Sequence, residues 1–528
     1  MNTVRLADDK KGIAAAADIL RSDGIVAIPT ETVYGLAASA FSNTAIKKVF
    51  EAKGRPQDNP LIVHISDLDM IDIVVDTFTD KARALAEEFW PGPLTLVLGK
   101  NEKIADSVSV GLDTVAVRMP SNEVAREVIR QAAIPLAAPS ANLSGSPSPT
   151  SAQHVLCDLD GKIDAVILSD ECSVGVESTV VSLACNPPRL LRPGKVTPEQ
   201  LKKHLPDLVI DKAVLSEPQK DEKVASPGMK YKHYSPKTQV FLVEAQSEEY
   251  ARFVNKFENS LAICFLQDSD KIKIEKLCYG AEDDAEQQAK IIFSLLRRAD
   301  EMNCDKIFVH APKKSGIGLA VYNRLIRAAA FRVITPKHIV GLTGPTGAGK
   351  STLKETAKKY GFDVIDCDVT ARKATDIEKC RLDLAKAFGD DILDNQGRVI
   401  RQKLAQKAFC NQEKTQLLNT VIFPYINALI EQEILLLDSD KVLLDAPTLF
   451  EAGADRLCDR VCAVLANIEK RKERIISRDG LNETDALLRI NAGKPDEYYK
   501  QKTQNIIYND SDEKTFIRLF TEFINGGN

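Results

Sequence analysis

Apolar and polar positions follow two different patterns in the N-terminal part of the chain. Segments 24–28 and 94–98 are short apolar runs bounded by Gly or Pro, and they predict β-strands. Segments 44–52 and 81–89 are amphipathic and predict helices. Because strands and helices alternate along the chain, the pattern predicts an α/β domain.

This alternation breaks once and then restarts twice. Between residues 206 and 236 the periodicity fades and Pro, Lys, Asp, Ser and Gly crowd together, which predicts an extended linker. Apolar runs at 240–243 and 306–309, with an amphipathic stretch at 284–302, predict a second α/β unit. A fresh strand at 338–342 opens a third unit. We therefore predict four parts with the boundaries 1–205, 206–236, 237–336 and 337–528.

Composition narrows the class of protein. The chain has 528 residues, of which 44% are hydrophobic, and its net charge of -5 provides no basic field over the whole molecule. We therefore expect no strong direct binding of nucleic acid. The 11 cysteines include no Cys-x-x-Cys pair, which argues against a disulfide scaffold or a zinc site. There is no apolar signal core and no apolar run of membrane-spanning length, so we expect a cytoplasmic location without a membrane partner.

A glycine-rich segment begins the C-terminal unit. Residues 344–351 read Gly-Pro-Thr-Gly-Ala-Gly-Lys-Ser, between a predicted strand and a helix predicted at 352–360. This is the pattern of a phosphate-binding loop, in which backbone N–H groups and a helix N-terminus surround phosphate oxygens. Lys350 is expected to reach the β- and γ-phosphates of ATP, and Ser351 is expected to bind Mg²⁺. The predicted nucleotide contacts of this loop are Gly347, Ala348, Gly349, Lys350, Ser351 and Thr352.

Carboxylates follow two predicted strands of the same unit. Residues 364–368 are predicted to form a strand, whose alternation places Asp366 and Asp368 on one face. One of them can orient or deprotonate an acceptor hydroxyl, while the other supports Mg²⁺ or a neighbouring cation. Asp445 follows an apolar run, as in a Walker B strand. A basic helix at 469–478 supplies arginines that can stabilise the charge of a phosphoryl group in transfer.

These features resemble the dephospho-coenzyme A kinase family over residues 338–510. The shared segments are the phosphate loop, Asp366-x-Asp368-x-x-Ala371-Arg372, Leu418-Asn419-x-x-x-x-Pro424, Asp445-x-Pro447-x-Leu449-x-Glu451, Arg474-x-x-x-Arg478-Asp479 and Asn509. The resemblance implies transfer of phosphate from ATP to the ribose 3′-hydroxyl of dephospho-coenzyme A. It makes Asp368 the candidate base, with Lys350 in the transfer and Arg478 as the candidate lid cation. The chain departs from the family pattern at Phe423, Gly493 and Gln504.

A second set of motifs lies in the first 194 residues. They are 29–36 (Pro-Thr-Glu-Thr-Val-Tyr-Gly-Leu), 53–56 (Lys-Gly-Arg-Pro), 91–95 (Pro-Gly-Pro-Leu-Thr), 117–120 (Val-Arg-Met-Pro), 138–145 (Ala-Pro-Ser-Ala-Asn-Leu-Ser-Gly), 175–180 (Gly-Val-Glu-Ser-Thr-Val) and 191–194 (Leu-Arg-Pro-Gly). Their arginines and lysine can gather around polyphosphate or carboxylate, and their hydroxyl and amide groups can hold a small polar substrate. No Cys–His or Ser–His–Asp pattern indicates covalent catalysis, so binding and positioning of the reactants is the simpler mechanism.

This motif set closely resembles the long form of the threonylcarbamoyl-AMP synthase family. Residues 226–236 (Ser-Pro-Gly-Met-Lys-Tyr-Lys-His-Tyr-Ser-Pro) match the linker of that family, and 316–325 match its small C-terminal domain, so the resemblance covers about residues 1 to 335. It implies that L-threonine, bicarbonate and ATP are joined to give threonylcarbamoyl-AMP and pyrophosphate. The product serves the formation of threonylcarbamoyladenosine in tRNA, with tRNA-modifying proteins as partners.

The resemblance also assigns residues to these substrates. The implied threonine contacts are Thr32, His64, Arg118, Ala138 and Ser178. The implied ATP contacts are Lys53, Arg55, Asn59, Thr114, Ser140, Asn142, Ser148, Arg192, Tyr231 and His233. The linker, with Tyr231 and His233, is expected to fold over the site as a lid that excludes water from a labile carbamate.

The sequence therefore predicts an α/β protein throughout. We expect a twisted, mixed-sheet synthase domain, a small Rossmann-like domain and a P-loop kinase domain with a parallel sheet. The predicted function is that of a bifunctional enzyme that uses ATP as a substrate at both sites, with Mg²⁺ at the kinase site. Two alternatives stay open. In the first the kinase-like unit is a nucleotide-sensing or scaffolding module, as the three departures suggest, and in the second the protein binds double-stranded RNA.

Overall fold

The computed structural model describes residues 2–217 and 234–526. It divides into two compact units, Met1–Ile334 and Thr335–Asn528. Both units are α/β, which confirms the predicted fold class. Among the described residues, no helix combines the length and the apolar character needed to cross a membrane.

The first unit contains an eleven-stranded mixed sheet. Its strands are β1 (Val4–Ala7), β2 (Val26–Ile28), β3 (Gly35–Ser39), β4 (Ile62–His64), β5 (Leu94–Gly99), β6 (Thr114–Arg118), β7 (Leu136–Ala137), β8 (Ala165–Leu168), β9 (Thr179–Ser182), β10 (Arg189–Arg192) and β11 (Val209–Ile210). Their order is β1-β8-β2-β3-β7-β4-β6-β5-β9-β10-β11. Parallel pairs such as β4 with β6 stand beside antiparallel pairs such as β5 with β6, so the predicted mixed sheet is confirmed.

Seven helices accompany this sheet among the described residues. They are α1 (Lys10–Arg21), α2 (Asn43–Lys53), α3 (Asp80–Phe89), α4 (Asp106–Ser109), α5 (Glu123–Ala132), α6 (Ala152–Leu159) and α7 (Pro198–Leu201). Ser42 caps the N-terminus of α2 by accepting a hydrogen bond from the backbone of Ala45. The helix ends at Lys53, and Gly54 takes up the left-handed conformation (φ +58°) that turns the chain. This turn brings Lys53 and Arg55 to the same cleft.

The predicted linker differs from the structure at its N-terminal end. Residues 206–217 are not irregular throughout, because β11 pairs in parallel with β10 and a short 3₁₀ helix, Lys212–Val214, follows it. Both residues of β11 are exposed, so the strand carries no apolar alternation that the sequence could reveal. Its order comes from backbone hydrogen bonds to β10. The 3₁₀ helix that follows it accepts hydrogen bonds from Asn323 and Arg327 of the small domain. The boundaries predicted for the four parts stay a prediction.

The small domain of the first unit is built on a five-stranded parallel sheet. Its strands are β12 (Gln239–Val243), β13 (Ser260–Cys264), β14 (Glu275–Cys278), β15 (Lys306–His310) and β16 (Val333–Ile334), in the order β14-β13-β15-β12-β16. Its helices are α8 (Ser247–Val254), α9 (Ala285–Glu301) and α10 (Gly316–Ala328). All four strand pairs are parallel, as expected of a Rossmann-like domain.

The second unit has its own five-stranded sheet. The strands are β17 (His338–Thr343), β18 (Asp363–Asp366), β19 (Lys441–Asp445), β20 (Arg460–Leu465) and β21 (Asn505–Tyr508), in the order β18-β19-β17-β20-β21. All pairs are parallel, which confirms the prediction for this sheet. The helices are α11 (Lys350–Lys359), α12 (Cys367–Ala374), α13 (Glu378–Phe388), α14 (Arg401–Ala408), α15 (Gln412–Leu436), α16 (Ile468–Asp479), α17 (Glu483–Asn491), α18 (Asp496–Lys502) and α19 (Glu513–Ile524).

The strand predicted to carry Asp366 and Asp368 on one face is shorter than expected. β18 ends at Asp366, whose carboxylate caps α12 by accepting hydrogen bonds from the backbones of Asp368 and Val369. Asp368 therefore lies in the first turn of a helix rather than on a strand. A carboxylate is a favoured N-cap because it satisfies N–H groups that have no partner within the helix. Both carboxylates nevertheless line the same cleft.

Candidate active sites

Loops at the ends of several strands of the mixed sheet surround a polar cleft in the first unit. Ten residues predicted from the sequence line it: Thr32, Lys53, Arg55, His64, Arg118, Ala138, Ser140, Asn142, Ser178 and Arg192. They come from segments far apart in the chain, and the sheet brings them together. β4 and β6, for example, place His64 directly beside Arg118 in register.

A buried guanidinium lies at one end of this cleft. Arg118 forms an ion pair with Glu31 at 2.6 Å and donates a hydrogen bond of 2.9 Å to the hydroxyl of Thr32. Burial and the adjacent Arg118 lower the pKa of His64 to about 3, so its imidazole is neutral at physiological pH. A fixed cation, a hydroxyl and a neutral imidazole together suit a small polar molecule that carries a carboxylate and a hydroxyl.

A second buried guanidinium lies beside Ser178. Arg192 donates to the backbone oxygen and to the hydroxyl of Ser178, both at 3.0 Å. The same hydroxyl lies 2.8 Å from that of Thr95. Burial lowers the pKa of Arg192 to about 10, which still leaves it charged at neutral pH. The arrangement holds one hydroxyl and one positive charge side by side within the cleft.

Lys53 stabilises the loop that carries Ser140. Its ammonium donates to the backbone oxygens of Ser140 and Asn142, the latter at 2.7 Å, and to the side-chain oxygen of Asn142 at 3.3 Å. Burial and the charge of Arg55 lower its pKa well below the usual value. The donors of this lysine are thus used by the loop, and Arg55 is the more open cation of the pair.

Five predicted ATP contacts are not among the described residues that line the cleft. Asn59 and Ser148 are buried and are not among the described residues that line the cleft. Thr114 begins β6 and lies about 13 Å along this strand from Arg118, which ends it. Tyr231 and His233 lie outside the described residues.

The structure adds two acidic residues that the sequence reasoning did not assign. Glu31 pairs with Arg118, and Glu177 lines the cleft and accepts a hydrogen bond from Ser148 at 2.5 Å. Both acids stand next to a predicted substrate contact in the chain, and that adjacency was the only available signal.

The cleft of the second unit surrounds the phosphate loop and has a volume of about 680 Å³, which is the size of a nucleotide pocket. Seven predicted residues line it: Gly347, Ala348, Gly349, Lys350, Ser351, Asp368 and Arg478. Thr352, one residue further into α11, is not among the described residues of the lining.

The conformation of the loop requires glycine. Gly349 has a φ of +106°, and a Cβ there would lie 2.1 Å from the side-chain nitrogen of Asn509. That nitrogen donates to the carbonyl of Ala348 at 2.8 Å, and Arg474 donates to the same carbonyl at 3.2 Å. The ammonium of Lys350 donates a hydrogen bond of 2.6 Å to the carbonyl of Gly344. Burial lowers the pKa of Lys350.

Three carboxylates line the same cleft: Asp366 and Asp445 end β18 and β19, and Asp368 lies in the first turn of α12. Burial raises the pKa of Asp368, and the neighbouring charges of Asp366 and Asp445 raise it further. Lys354 lies 2.9 Å from both Asp366 and Asp445 and was missed by the sequence reasoning. It follows Lys350 by one turn of α11, so the helical period puts both lysines on the same side.

Arg478 is the predicted lid cation. It forms two hydrogen bonds of 2.8 Å with the carboxylate of Asp479, which raises its pKa. Arg489 also lines the cleft and lies 2.7 Å from the same carboxylate. Both guanidinium groups thus reach the cleft from the α16–α17 region.

Comparison with known families gives three matches along the chain. Family profiles match residues 18–194 (Telomere recombination, the Sua5/yciO/yrdC family), 196–330 (Threonylcarbamoyl-AMP synthase, C-terminal domain) and 338–515 (Dephospho-CoA kinase). The threonylcarbamoyl-AMP synthase of Pyrococcus abyssi is 44% identical over 329 residues, which are 61% of this chain and 95% of the relative. The dephospho-CoA kinase of Fusobacterium nucleatum is 33% identical over 186 residues, 35% of this chain and 96% of the relative.

The chain belongs to the threonylcarbamoyl-AMP synthase family and, in its C-terminal third, to the dephospho-CoA kinase family.

A solved structure gives the same assignment for the synthase part. The crystal structure of P. abyssi Sua5 complexed with L-threonine has a TM-score of 0.57 at 41% identity, and the match covers 63% of this chain and 98% of that one. Membership in the two families makes this chain an enzyme with a synthase part and a kinase part, as predicted. The departures from the kinase pattern at Phe423, Gly493 and Gln504 are not among the described residues that line the kinase cleft.

Proposed function

We propose that the chain is a bifunctional enzyme with two separate ATP-dependent reactions. The synthase part joins L-threonine, bicarbonate and ATP to give threonylcarbamoyl-AMP and pyrophosphate, which supplies proteins that modify tRNA. The kinase part transfers phosphate from ATP to dephospho-coenzyme A. The observation that carries the proposal is the convergence of ten predicted residues in one cleft and seven in the other.

The synthase cleft acts by positioning its reactants. Arg118 holds the carboxylate of threonine while Thr32 and neutral His64 contact its polar groups, and Arg192 with Arg55 holds the phosphates of ATP. The amine of threonine then combines with bicarbonate to give a carbamate and water. An oxygen of the carbamate attacks the α-phosphorus of ATP, and pyrophosphate leaves. Burial of the site favours this order because a carbamate is stable only where water and protons are excluded.

In the kinase cleft, Asp368 accepts the proton of the ribose hydroxyl. Its raised pKa suits a base that must bind this proton during transfer. Lys350 and Arg478 stabilise the charge on the phosphoryl group. The hydroxyl of Ser351 and the nearby carboxylates are oxygen donors, which fit Mg²⁺. When bound, this ion neutralises charge on the β- and γ-phosphates.

The alternative of a nucleotide-sensing module rests on Phe423, Gly493 and Gln504. Since the described lining of the cleft contains none of these residues, no structural feature favours that alternative over catalysis. Among residues 2–217 and 234–526, no observation favours the RNA-binding alternative over a substrate cleft.

The test uses purified full-length protein and two product assays. Coenzyme A should form from dephospho-coenzyme A and ATP, and Lys350→Ala should abolish this reaction. Pyrophosphate should be released only when threonine, bicarbonate and ATP are all present, and Lys350→Ala should change this rate by no more than about threefold, because the lysine belongs to the other cleft. Binding of ATP without formation of coenzyme A would contradict the kinase assignment.

A further inference from the structure

One side chain of the small domain is completely buried against the synthase cleft. Arg324 is 0% exposed and extends from α10 to the loop that carries Ser178. Its Nε donates to the carboxylate of Glu177 at 2.7 Å, and another of its nitrogens donates to the backbone oxygen of Glu177 at 3.2 Å. A third donor reaches the carbonyl of Pro193 at 2.8 Å.

The residues that Arg324 holds are neighbours of the predicted substrate contacts. Glu177 immediately precedes Ser178, and Pro193 immediately follows Arg192. The other carboxylate oxygen of Glu177 accepts the hydrogen bond of Ser148. A single guanidinium therefore holds two segments whose adjacent residues, Ser178 and Arg192, are implied to contact threonine and ATP.

The same loop is also packed into the small domain by apolar contacts. Val174 and Val176 belong to the hydrophobic core that includes Phe293 and Leu296 of α9. Gly175 lies between them with a φ of +83°, and a Cβ there would stand 2.4 Å from the backbone of Lys290. Since the backbones touch, the position of this loop depends on the small domain.

Charge gives Arg324 a second effect on the cleft. Burial alone would raise the pKa of Glu177, but Arg324 and Arg192 outweigh it and hold the pKa below the usual value. The carboxylate of Glu177 itself accepts hydrogen bonds from Arg324 and Ser148. Without Arg324 this buried carboxylate would keep the hydrogen bond from Ser148 but lose its ion pair, and the segments that carry Ser178 and Arg192 would lose the guanidinium that donates to both.

We propose that Arg324 is a positioning residue of the synthase reaction, through which the small domain sets the positions of Ser178 and Arg192. This inference rests on the proposed function and deepens it. According to this proposal, the small domain contributes directly to the arrangement of the synthase site.

The experiment compares three full-length variants with the wild type. Arg324→Met should lower kcat/KM for ATP in pyrophosphate release by about 100-fold, since it leaves a buried carboxylate with one partner fewer. The double variant Arg324→Met/Glu177→Gln should recover about threefold or more of this loss, because no unpaired buried charge then remains beside Ser178. Arg332→Met is the control, since Arg332 donates within the small domain to the carbonyl of Val240, and it should stay within about threefold of the wild type.

The outcomes separate three cases. A purely structural role predicts that Arg324→Met lowers Tm like Arg332→Met without changing the kinetic constants of the folded protein, and this would overturn the proposal. If Arg324→Met does not fold, Arg324→Lys replaces it, because lysine keeps the positive charge but lacks the planar guanidinium that donates to several acceptors at once. Arg324→Lys should lower kcat/KM about tenfold, and wild-type kinetics would overturn the proposal.

If the wild type releases no pyrophosphate, the proposed function fails. Titration of L-threonine by calorimetry then tests Arg324 directly, because Arg324→Met should weaken the Kd about tenfold by displacing Ser178.

Discussion

The ammonium of Lys354 lies 2.9 Å from a carboxylate oxygen of Asp445. It lies at the same distance from Asp366, so one cation on α11 joins the ends of two neighbouring strands, β18 and β19. Burial alone would raise the pKa of Asp366, but the hydrogen bond and the charge of Lys354 hold it below the usual value. Asp368, the candidate base, lies in the electrostatic field of this group.

We predict that Lys354→Met shifts the pH profile of coenzyme A formation. Without the lysine, Asp366 and Asp445 lose a cationic partner, so the pKa of Asp368 rises further above its usual value. A base must be deprotonated to act, so the rate falls as the pH drops through this pKa. The acid limb of kcat/KM should move to higher pH by about one unit.

Lys358→Met is the matched control for this profile. Lys358 belongs to the same helix but pairs with the exposed Glu355 at 2.7 Å. The control should leave the acid limb where it is in the wild type. An unchanged limb in Lys354→Met as well would show that the lysine does not influence the base.

The conformation of the phosphate loop leads to a second prediction. Gly349→Ala should lower kinase activity on the order of 100-fold, because a Cβ 2.1 Å from Asn509 must displace the loop and misplace the phosphates. Gly361→Ala is the control, since Gly361 also has a positive φ of +81° but nothing lies within 4 Å of the added carbon. Both variants carry backbone strain, so only the steric clash distinguishes them. Equal losses of coenzyme A formation would contradict this reasoning.

A third prediction concerns the protonation of His64. Its pKa is lowered to about 3, so its charge does not change in the range where an ordinary histidine titrates. The KM for threonine should therefore be constant between about pH 5.5 and 7.5. Steady-state pyrophosphate release at several pH values measures this. A KM that titrates near the usual histidine pKa, and ceases to do so in His64→Asn, would refute a neutral imidazole.

The fourth prediction follows from the buried carboxylate of Glu177. Its pKa in the folded protein lies below the usual value of 4.5, so its charge stabilises the fold above that pH, and the contribution is lost as the pH falls through the folded pKa. Glu177→Gln should lower the free energy of unfolding at neutral pH by about 3 to 5 kcal/mol. The difference between variant and wild type should shrink below about pH 4.

Calorimetric Tm values at neutral and acidic pH check this dependence. Glu123→Gln is the control, because Glu123 is exposed in its ion pair with Arg126 and such surface pairs contribute little. It should leave Tm nearly unchanged at both pH values. A difference for Glu177→Gln that stays constant with pH would mean that the carboxylate is not charged in the fold.

Much of the candidate chemistry could be predicted from short segments of the chain. The segment around Lys350 has the turn, the glycines and the helix start that phosphate binding needs, all within eight consecutive residues. The motifs around Thr32 and Ser178 are equally local. Element types were also predictable, since the period of apolar residues differs between strands and helices.

Other features could not be predicted because they depend on residues that meet only after packing. Asp368 was expected on a strand, yet the capping of α12 by Asp366 decides that it begins a helix. The strand β11 lacks apolar alternation and is ordered by its pairing with β10. Lys354 was missed because its two partners lie at the ends of two separate strands, β18 and β19.

The two families, the α/β class, ten residues of the synthase cleft and seven of the kinase cleft could be predicted from local segments, because a phosphate loop or an apolar period is written in consecutive residues. The meeting of Arg324 with Glu177, 147 residues away in the chain, depends on how the helices and strands pack. The sequence spacing of two charges does not say whether they pair. A buried ion pair forms only where packed helices and strands bring both groups out of water together, and this is decided by the fold as a whole.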